Sequence, residues 1–388
     1  MNSLALFVEF VRKCGMNRFF IATVFLVVAL AVLVGCSSDK RSSSEIIVGA
    51  TFPLTGEVAS YGQKAKKGIE LAVDDVNKNG GVLSRKMKVD FQDDQNDKKA
   101  AVSIVTKFAT IDRVPVIFGS AGSGVTLAVA PIANQNKTLL VSPISSSTEL
   151  STKGGKFFFR TVPADDQQAE ILANWVAKYG AKRVAVVYTN NAWGKPLADG
   201  FAQGFTNQGG KVILSEGVEE GSNDFRTIIA KLKQLPKLDA VVSPTYPKEG
   251  GVFVRQMKEL DFNVPLFGGD NWGSPEFRKI AGSTANGVYY TAPSESTSPE
   301  YKDFAKRYKA RFNEDPDIFG ACSYDAVTAV CKAFDACKST DPEKVRDALA
   351  KVSFAGVSGK IAFRNNGDLK SEAFARMTIK NGKAINVK

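Results

Sequence analysis

The chain has 388 residues, 44% of them hydrophobic and 23% charged, the balance of a globular protein of two or three folding units and not of a disordered one. It holds 33 Gly, 5 Cys and no histidine. The cysteine count excludes a disulfide-stapled miniprotein and a zinc-ribbon array. The missing histidine excludes Ser-His-Asp and Cys-His triads and His-ligated zinc or haem. The net charge of +11, from 51 Lys and Arg against 40 Asp and Glu, is scattered. KAKKGIELAVDD (64–75) and YKDFAKRYKARFNED (301–315) interleave the two signs as solvated helix faces do, so no nucleic-acid surface is expected.

Residues 19–34 (FFIATVFLVVALAVLV) form an apolar run behind Arg12, Lys13 and Arg18. At ~1.5 Å per residue the run reaches roughly 24 Å as a helix, short of a hydrocarbon core of about 30 Å. A basic start and a short apolar core describe a secretory signal peptide over residues 1–35, with Met16 an alternative start. Leu33-Val34-Gly35-Cys36 resembles the bacterial lipobox, in which the cysteine becomes the lipidated first residue of the mature chain. Residues 36–44, rich in serine, then form a flexible tether; a short membrane anchor with an incidental cysteine is the competing reading. Cys322, Cys331 and Cys337 remain, an odd number that leaves at least one thiol free. Cys322 and Cys331, nine apart on an expected helix, face opposite sides and cannot bridge; a Cys331–Cys337 bridge stays open.

Beyond the tether, strands and helices alternate. IIVGATF (46–52) reads as a strand, residues 62–78 as a helix stopped by Asn79-Gly80-Gly81, KMKVDFQDD (86–94) as a strand and KKAAVSIVTKFAT (98–110) as a helix. VPVIFGS (114–120), a helix through 124–136, and TLLVSP (138–143) continue the series. It restarts near 160–170: helices QAEILANWVAKYG, PLADGFAQGFTNQG, DFRTIIAKLKQL and GGVFVRQMKEL alternate with strands RVAVVYTN, KVILSEG, LDAVVSPT and VPLFGGD. This predicts an α/β protein of two lobes, each a doubly wound parallel sheet, with a cleft where the strand ends of the two face each other.

Two loops stand out at those ends. VPVIFGSAGSGVTLAVA (114–130) runs from a strand through glycines into a helix, whose start offers N–H groups to an anion. Its glycines do not fit a dinucleotide fingerprint, no acid ends the next strand, and no phosphate-loop lysine follows. A carboxylate held by the helix start and Ser123 fits better, although a helix-start serine alone needs no ligand. Ser145, Ser146 and Ser147 follow the next strand at the same edge. In the other half, Asp270 follows VPLFGG, a carboxylate suited to a cation. Tyr61, Trp193 and Tyr246 sit at loop tips and supply an apolar wall. An anion-binding loop opposite a single carboxylate describes a clamp for a zwitterion.

These segments carry a family resemblance. PLTGEVASYGQKAKKGIELAVDDVNKNGGV (53–82), DFQDDQND (90–97), FGSAGSGVTLAVAPIA (118–133), SPISSSTEL (142–150), VAVVYTNNAWGK (184–195), FGGDNWGSPEF (267–277) and YDAV (324–327), behind a lipobox, resemble the type I periplasmic binding proteins of the leucine/isoleucine/valine family over nearly the whole mature chain. The resemblance implies two lobes joined by a three-crossover hinge, near Thr161–Ala164, Thr291–Ser294 and Leu369–Ala373. Residues 45–162 and 293–370 form one lobe, and 163–292 with 371–388 the other. It implies that Ser123 and nearby backbone hold the ligand carboxylate with the loop at Ile144, Ser145 and Ser146, that Asp270 and the carbonyl near Ile144 hold the ammonium, and that Tyr61, Trp193, Tyr246 and Phe319 line the side-chain pocket. The family often has Tyr where this chain has Trp193, and Glu where it has Asp270, one methylene shorter.

The function so implied is an extracytoplasmic substrate-binding lipoprotein of an ABC importer. It captures an L-amino acid, branched-chain or otherwise apolar, as a monomer with permease subunits as partners, a lipid anchor at Cys36, no cofactor, no metal, no nucleic acid and no enzymatic step. The alternatives are a receptor of the same fold for an amide, urea or aromatic acid, and a ligand-sensing module uncoupled from transport.

Overall fold

The computed structural model describes residues 45–370 and 374–387. The signal peptide, the tether, Cys36, the alternative start at Met16 and residues 371–373 of the last expected crossover lie outside the described residues.

The first series consists of β1 (Glu45–Phe52), α1 (Ala59–Lys78), β2 (Lys86–Asp93), α2 (Lys98–Thr106), β3 (Val116–Gly119), α3 (Ser123–Gln135), β4 (Leu139–Ser142), α4 (Leu150–Lys153) and β5 (Phe158–Arg160). The five strands pair in parallel in the order β2-β1-β3-β4-β5. Every residue of β3 and β4 is buried, as parallel strands covered on both faces must be. Tyr61, Ala65, Ile69 and Ala72 form the buried stripe of α1. That helix stops where Gly81 turns to φ +79 and donates its N–H to the Val76 carbonyl at 2.9 Å; a Cβ at Gly81 would lie 2.1 Å from the Arg85 carbonyl oxygen.

Several boundaries shift by two or three residues, as where α1 begins at Ala59 and not at Gly62, and one helix end differs in kind. The helix expected over 98–110 is α-helical only to Thr106 and widens into a π-helical turn over Lys107–Asp112. The Thr110 hydroxyl donates to the Thr106 carbonyl at 2.7 Å, the side-chain bond with which threonine loosens a helix from within.

The second series is α5 (Asp165–Lys178), β6 (Arg183–Thr189), α6 (Gly194–Asn207), β7 (Lys211–Val218), α7 (Arg226–Gln234), β8 (Ala240–Ser243), α8 (Pro247–Glu259), β9 (Leu266–Gly268), a 3-10 turn over Asp270–Gly273, α9 (Pro275–Ala281) and β10 (Tyr289–Pro293). The chain then returns as α10 (Pro299–Phe312), α11 (Ile318–Cys337) and α12 (Pro342–Leu349), and as a small hairpin of β11 (Ser353–Ala355) and β12 (Lys360–Ala362). Ala326, Val327, Val330 and Phe334 of α11 pack into one core with Val48, Ala50 and Phe52 of β1.

The last strands, β13 (Phe374–Lys380) and β14 (Lys383–Asn386), pair antiparallel onto β10. The second sheet therefore has seven strands, β14-β13-β10-β9-β8-β6-β7, parallel except along that edge. Asn381 (φ 52) and Gly382 (φ 72) form the tight turn between its last two strands, the pair of left-handed residues that a two-residue hairpin favours.

Strand order reverses at β1/β3 in one sheet and at β6/β8 in the other. Such switch points open a crevice at the carboxyl ends of the strands, and both crevices belong to the same cleft. The thiols of Cys322, Cys331 and Cys337 are free. Burial pushes those of Cys322 and Cys331 up, the latter to about 12, so neither forms a nucleophile. No described helix is long and apolar enough to cross a membrane.

Candidate functional site

A cavity with an empty volume of about 420 Å³ lies in the cleft. Tyr61, Ser123, Ile144, Ser146, Trp193, Tyr246, Asp270 and Phe319 all line it. The sequence spreads these residues over seven loops and helix ends, and the fold gathers them.

On the first-lobe side the wall is the start of α3. Its N-cap is Gly122, which has no side chain to satisfy the first N–H groups, so the positive end of the helix dipole is available to an anion. A Cβ at Gly122 would lie 2.1 Å from Asn96 Oδ1, so any larger residue there has to displace the Asn96 side chain. Ser123 is buried, and its hydroxyl accepts the Ser147 N–H at 3.3 Å. Behind it, Asp94 accepts hydroxyl hydrogens from Thr51 at 3.0 Å and Ser120 at 2.6 Å, and burial pushes its carboxyl up. The Ser142 hydroxyl donates to the Ser120 carbonyl at 2.8 Å and accepts the Ser145 N–H at 2.9 Å.

Ser145 differs from its neighbours. Its hydroxyl lies 2.7 Å from Thr126 Oγ1 and 2.9 Å from the Ser120 carbonyl oxygen, fully buried beneath the wall. It ties the two loops together, while Ile144 and Ser146 on either side form the cavity surface. The bend at Pro143–Ile144, where the N–H groups of Ile144 and Ser145 both turn back to the Ser142 hydroxyl, accompanies this inward placement of Ser145.

On the second-lobe side, Trp193 and Tyr246 stack with centroids 5.4 Å apart and planes at 20°. Asn191 Oδ1 accepts the N–H groups of Trp193 (3.0 Å) and Gly194 (2.9 Å) and so fixes the start of α6. Tyr61 meets Phe319 edge-on at 5.2 Å. Trp272 is no part of this wall: it is fully buried, stacks on Phe277 at 4.9 Å and donates its indole N–H to Thr245 Oγ1 at 3.1 Å. It clamps the turn carrying Asp270 against the turn carrying Tyr246.

Asp270 has its carboxyl pushed up to about 6, chiefly by burial, against hydrogen bonds from the N–H groups of Asp270 and Asn271. The Gln168 amide satisfies its neighbours with its oxygen accepting the Asp270 N–H at 2.9 Å and the Thr291 hydroxyl at 3.0 Å, and its nitrogen donating to Asp165 Oδ1 at 2.6 Å. Asp165 is buried and its carboxyl lies well above the usual range, through burial and then the charge of Asp270. The lobes touch around the cavity. The Tyr61 phenol donates to Asn271 Oδ1, Lys248 pairs with Glu57 at 2.5 Å, and Asn96 Nδ2 lies 3.4 Å from Glu220 Oε1.

Asn96, Asn271, Asp165 and Gln168 were not singled out from the sequence. Asn96 and Asn271 sit inside quoted motifs, next to acids that drew the attention. Asp165 and Gln168 are three apart at the start of a helix, a spacing that puts both on one face. Among the described residues, no group of three or more His, Cys, Asp or Glu side chains is arranged to hold a metal ion.

Residues 45–384 match the sequence profile of the family described as periplasmic binding protein. A Leu/Ile/Val-binding protein from Rhizobium johnstonii is 33% identical over 346 residues, 88% of this chain and 94% of that one. The structure of the branched-chain amino acid transporter substrate binding protein LivJ from Streptococcus pneumoniae, in complex with isoleucine, superposes with a TM-score of 0.80 at 30% identity, over 88% of this chain and 99% of that one. An ABC transporter solute binding protein from R. palustris in complex with benzoate shares the fold, with a TM-score of 0.80 at 22% identity over 88% of this chain and 95% of that one.

Proposed function

The chain belongs to the periplasmic binding protein family, and on that premise we propose that it is the extracytoplasmic substrate-binding component of an ABC importer, capturing a branched-chain or other apolar L-amino acid between its lobes. It acts by binding, as a monomer that delivers its ligand to permease subunits, with no catalytic step of its own. Cys36 carries the lipid that keeps it at the membrane surface.

The observation that carries this reading is the polarity of a single cavity. One end is an uncapped helix start with Ser123, suited to a carboxylate; the other is the buried carboxylate of Asp270, suited to an ammonium. Stacked Trp193 and Tyr246 and the Tyr61–Phe319 pair form apolar walls between them, as a hydrocarbon side chain requires. The isoleucine complex of the Streptococcus pneumoniae relative supports the same ligand class.

Calorimetry of leucine and isoleucine against their deaminated acids tests it. A charge-assisted hydrogen bond lost from a desolvated site costs ~1.5–3 kcal/mol, roughly tenfold to a hundredfold in affinity. Asp270→Asn should therefore weaken the amino acids by that factor and leave the deaminated acids little changed. Equal losses for both sets would defeat the clamp. Tight binding of an aromatic acid by the unaltered chain would favour the receptor class of the benzoate complex.

A further inference from the structure

Asp270 does not stand by itself. Asp165, in the first turn of α5, occupies the other side of the Gln168 amide: Gln168 donates to Asp165 Oδ1 at 2.6 Å and accepts the Asp270 N–H at 2.9 Å. Asp165 is 1% exposed. Its second oxygen, Oδ2, is buried and has no hydrogen-bond partner among the described residues. Asp270 retains some exposure, because it lines the cavity. We propose that Asp165 and Asp270 work as one paired acid, which holds a single proton in the unliganded protein and releases it to solvent when an ammonium group takes its place in the cavity. This rests on the reading of the ligand as an amino acid.

The Ser146 hydroxyl bonds the Asp165 carboxyl and favours its charged form, but the surroundings leave few other ways to balance two carboxylates. Arg160 on β5 is the nearest cation, but its guanidinium is already bound to Asp368 at 2.6 Å, to the Ser147 carbonyl at 2.8 Å and to Ser151 Oγ at 2.6 Å. Asp166, beside Asp165, adds a further negative charge. From α1 and from the loop before α8 come the phenols of Tyr61 and Tyr246, which burial keeps neutral. From β10 comes the Thr291 hydroxyl, already spent on Gln168. Lys248 lies toward Glu57 and Glu249, away from the pair. An ionised carboxylate with a buried, unpartnered oxygen is costly, and a neutral carboxyl much less so. Two acids so placed titrate as a pair, whose proton belongs to both.

Burial, and for Asp165 also the charge of its partner, pushes both acids up, Asp270 to about 6. An incoming cation pulls both down. Binding then removes a proton wherever the free pair still holds one, so affinity rises with pH through the pair's titration, which includes the region near 6 where Asp270 lies, and levels off above it.

The experiment is calorimetric titration of the whole chain, in detergent, with L-leucine or L-isoleucine. Carried out near pH 6.5 in buffers of different protonation enthalpy, it reads the number of protons released from the slope of heat against that enthalpy. The unaltered chain should release roughly half a proton or more, and the release should fall as the pH is raised and the free pair loses its proton. Asp165→Asn, once shown by circular dichroism to be folded, should bind at pH 6.5 with clearly less release than its parent, because the shared proton has lost one of its two carriers and Asp270 alone, still raised to about 6 by burial, is mostly ionised before the ligand arrives. Binding by the unaltered chain with no buffer dependence at pH 6.5 overturns the pair, as does an Asp165→Asn chain that releases as much as its parent. Should Asp165→Asn fail to fold, the buffer dependence of the unaltered chain at pH 6.5 decides alone. If no amino acid binds, the ligand reading itself fails and the coupling falls with it.

Discussion

Replacing Asp368 by alanine removes the counter-charge of a guanidinium that has no access to water. Arg160 is 0% exposed and Asp368 3%, and the two side chains approach to 2.6 Å. Arg160 also bonds the Ser147 carbonyl and Ser151, while its own N–H donates to the Gly367 carbonyl at 3.0 Å. The pair thus fastens the loop carrying Ile144 and Ser146 to the segment that leads into β13. Breaking a buried pair from one side costs about 3–5 kcal/mol, because the remaining charge stays buried. A melting entropy of ~2.1 cal/mol/K per residue gives the body Glu45–Lys388 roughly 0.7 kcal/mol/K. Asp368→Ala should therefore lower the melting temperature by about 4–7 °C in scanning calorimetry. The paired replacement Arg160→Met with Asp368→Leu removes both charges and should recover most of that loss. A fall of less than about 1 °C for Asp368→Ala alone would refute the desolvated geometry on which the reasoning rests.

Trp193→Ala should weaken ligand binding and abolish the ligand-induced change in indole fluorescence, because Trp193 lines the cavity while Trp175 packs on Phe267 and Tyr289 away from it; a surviving signal counts against this assignment. Gly122→Ala keeps an allowed backbone (φ −73) but drives a Cβ into Asn96 Oδ1, so stability measured by urea titration should change by no more than ~1 kcal/mol while leucine binding weakens. Cys36→Ser should leave a folded chain that takes up no radioactive acyl label, and label in that variant would remove the lipobox reading.

The alternation of strand and helix was legible because the parallel strands are buried on both faces and carry unbroken apolar runs, as in VAVV of β6 and LLV of β4. The edge strands β13 and β14 were not read, since their residues are mostly half-buried or exposed and carry no such run. The π-helical end of α2 was equally hidden, because it preserves the helical spacing of its apolar residues. Within the site, residues on glycine-bearing loops after strands stood out by chemistry alone: Ser123, Asp270, and the aromatics at loop tips. Ser145 was grouped with its neighbours because three serines in a row look alike until the loop's bend turns one of them inward. Asp165 and Gln168 escaped notice because an acidic first helical turn is ordinary, favoured by the helix dipole whether or not a ligand lies nearby.

The closed arrangement shows what the ligand has to provide. Apart from the buried Asp165 N–H that donates to the Ser146 carbonyl at 3.0 Å beside the first crossover, the direct bonds between the lobes are side-chain contacts that lie mostly at the rim. Lys248 and Glu57 keep side-chain exposures of 32% and 63%, and an exposed pair of this kind contributes about 0–1 kcal/mol. The Asn96–Glu220 contact, at 3.4 Å, is at the long limit of a hydrogen bond. The Tyr61–Asn271 bond is the exception, buried and made by a side chain that also lines the cavity. Turning a mostly open population into a mostly closed one takes ~5.5 kcal/mol of preference for the closed form. Rim contacts alone do not reach that. On the proposed reading, a zwitterion held by the start of α3 would gain its bond to Asp270 and its contact with Trp193 and Tyr246 only on closure, and those would be the terms that differ between the two states. A ligand lacking the ammonium would keep the first grip but lose much of the second. That reading places discrimination in the second lobe, at the shorter carboxylate of Asp270, backed by Asp165 through Gln168.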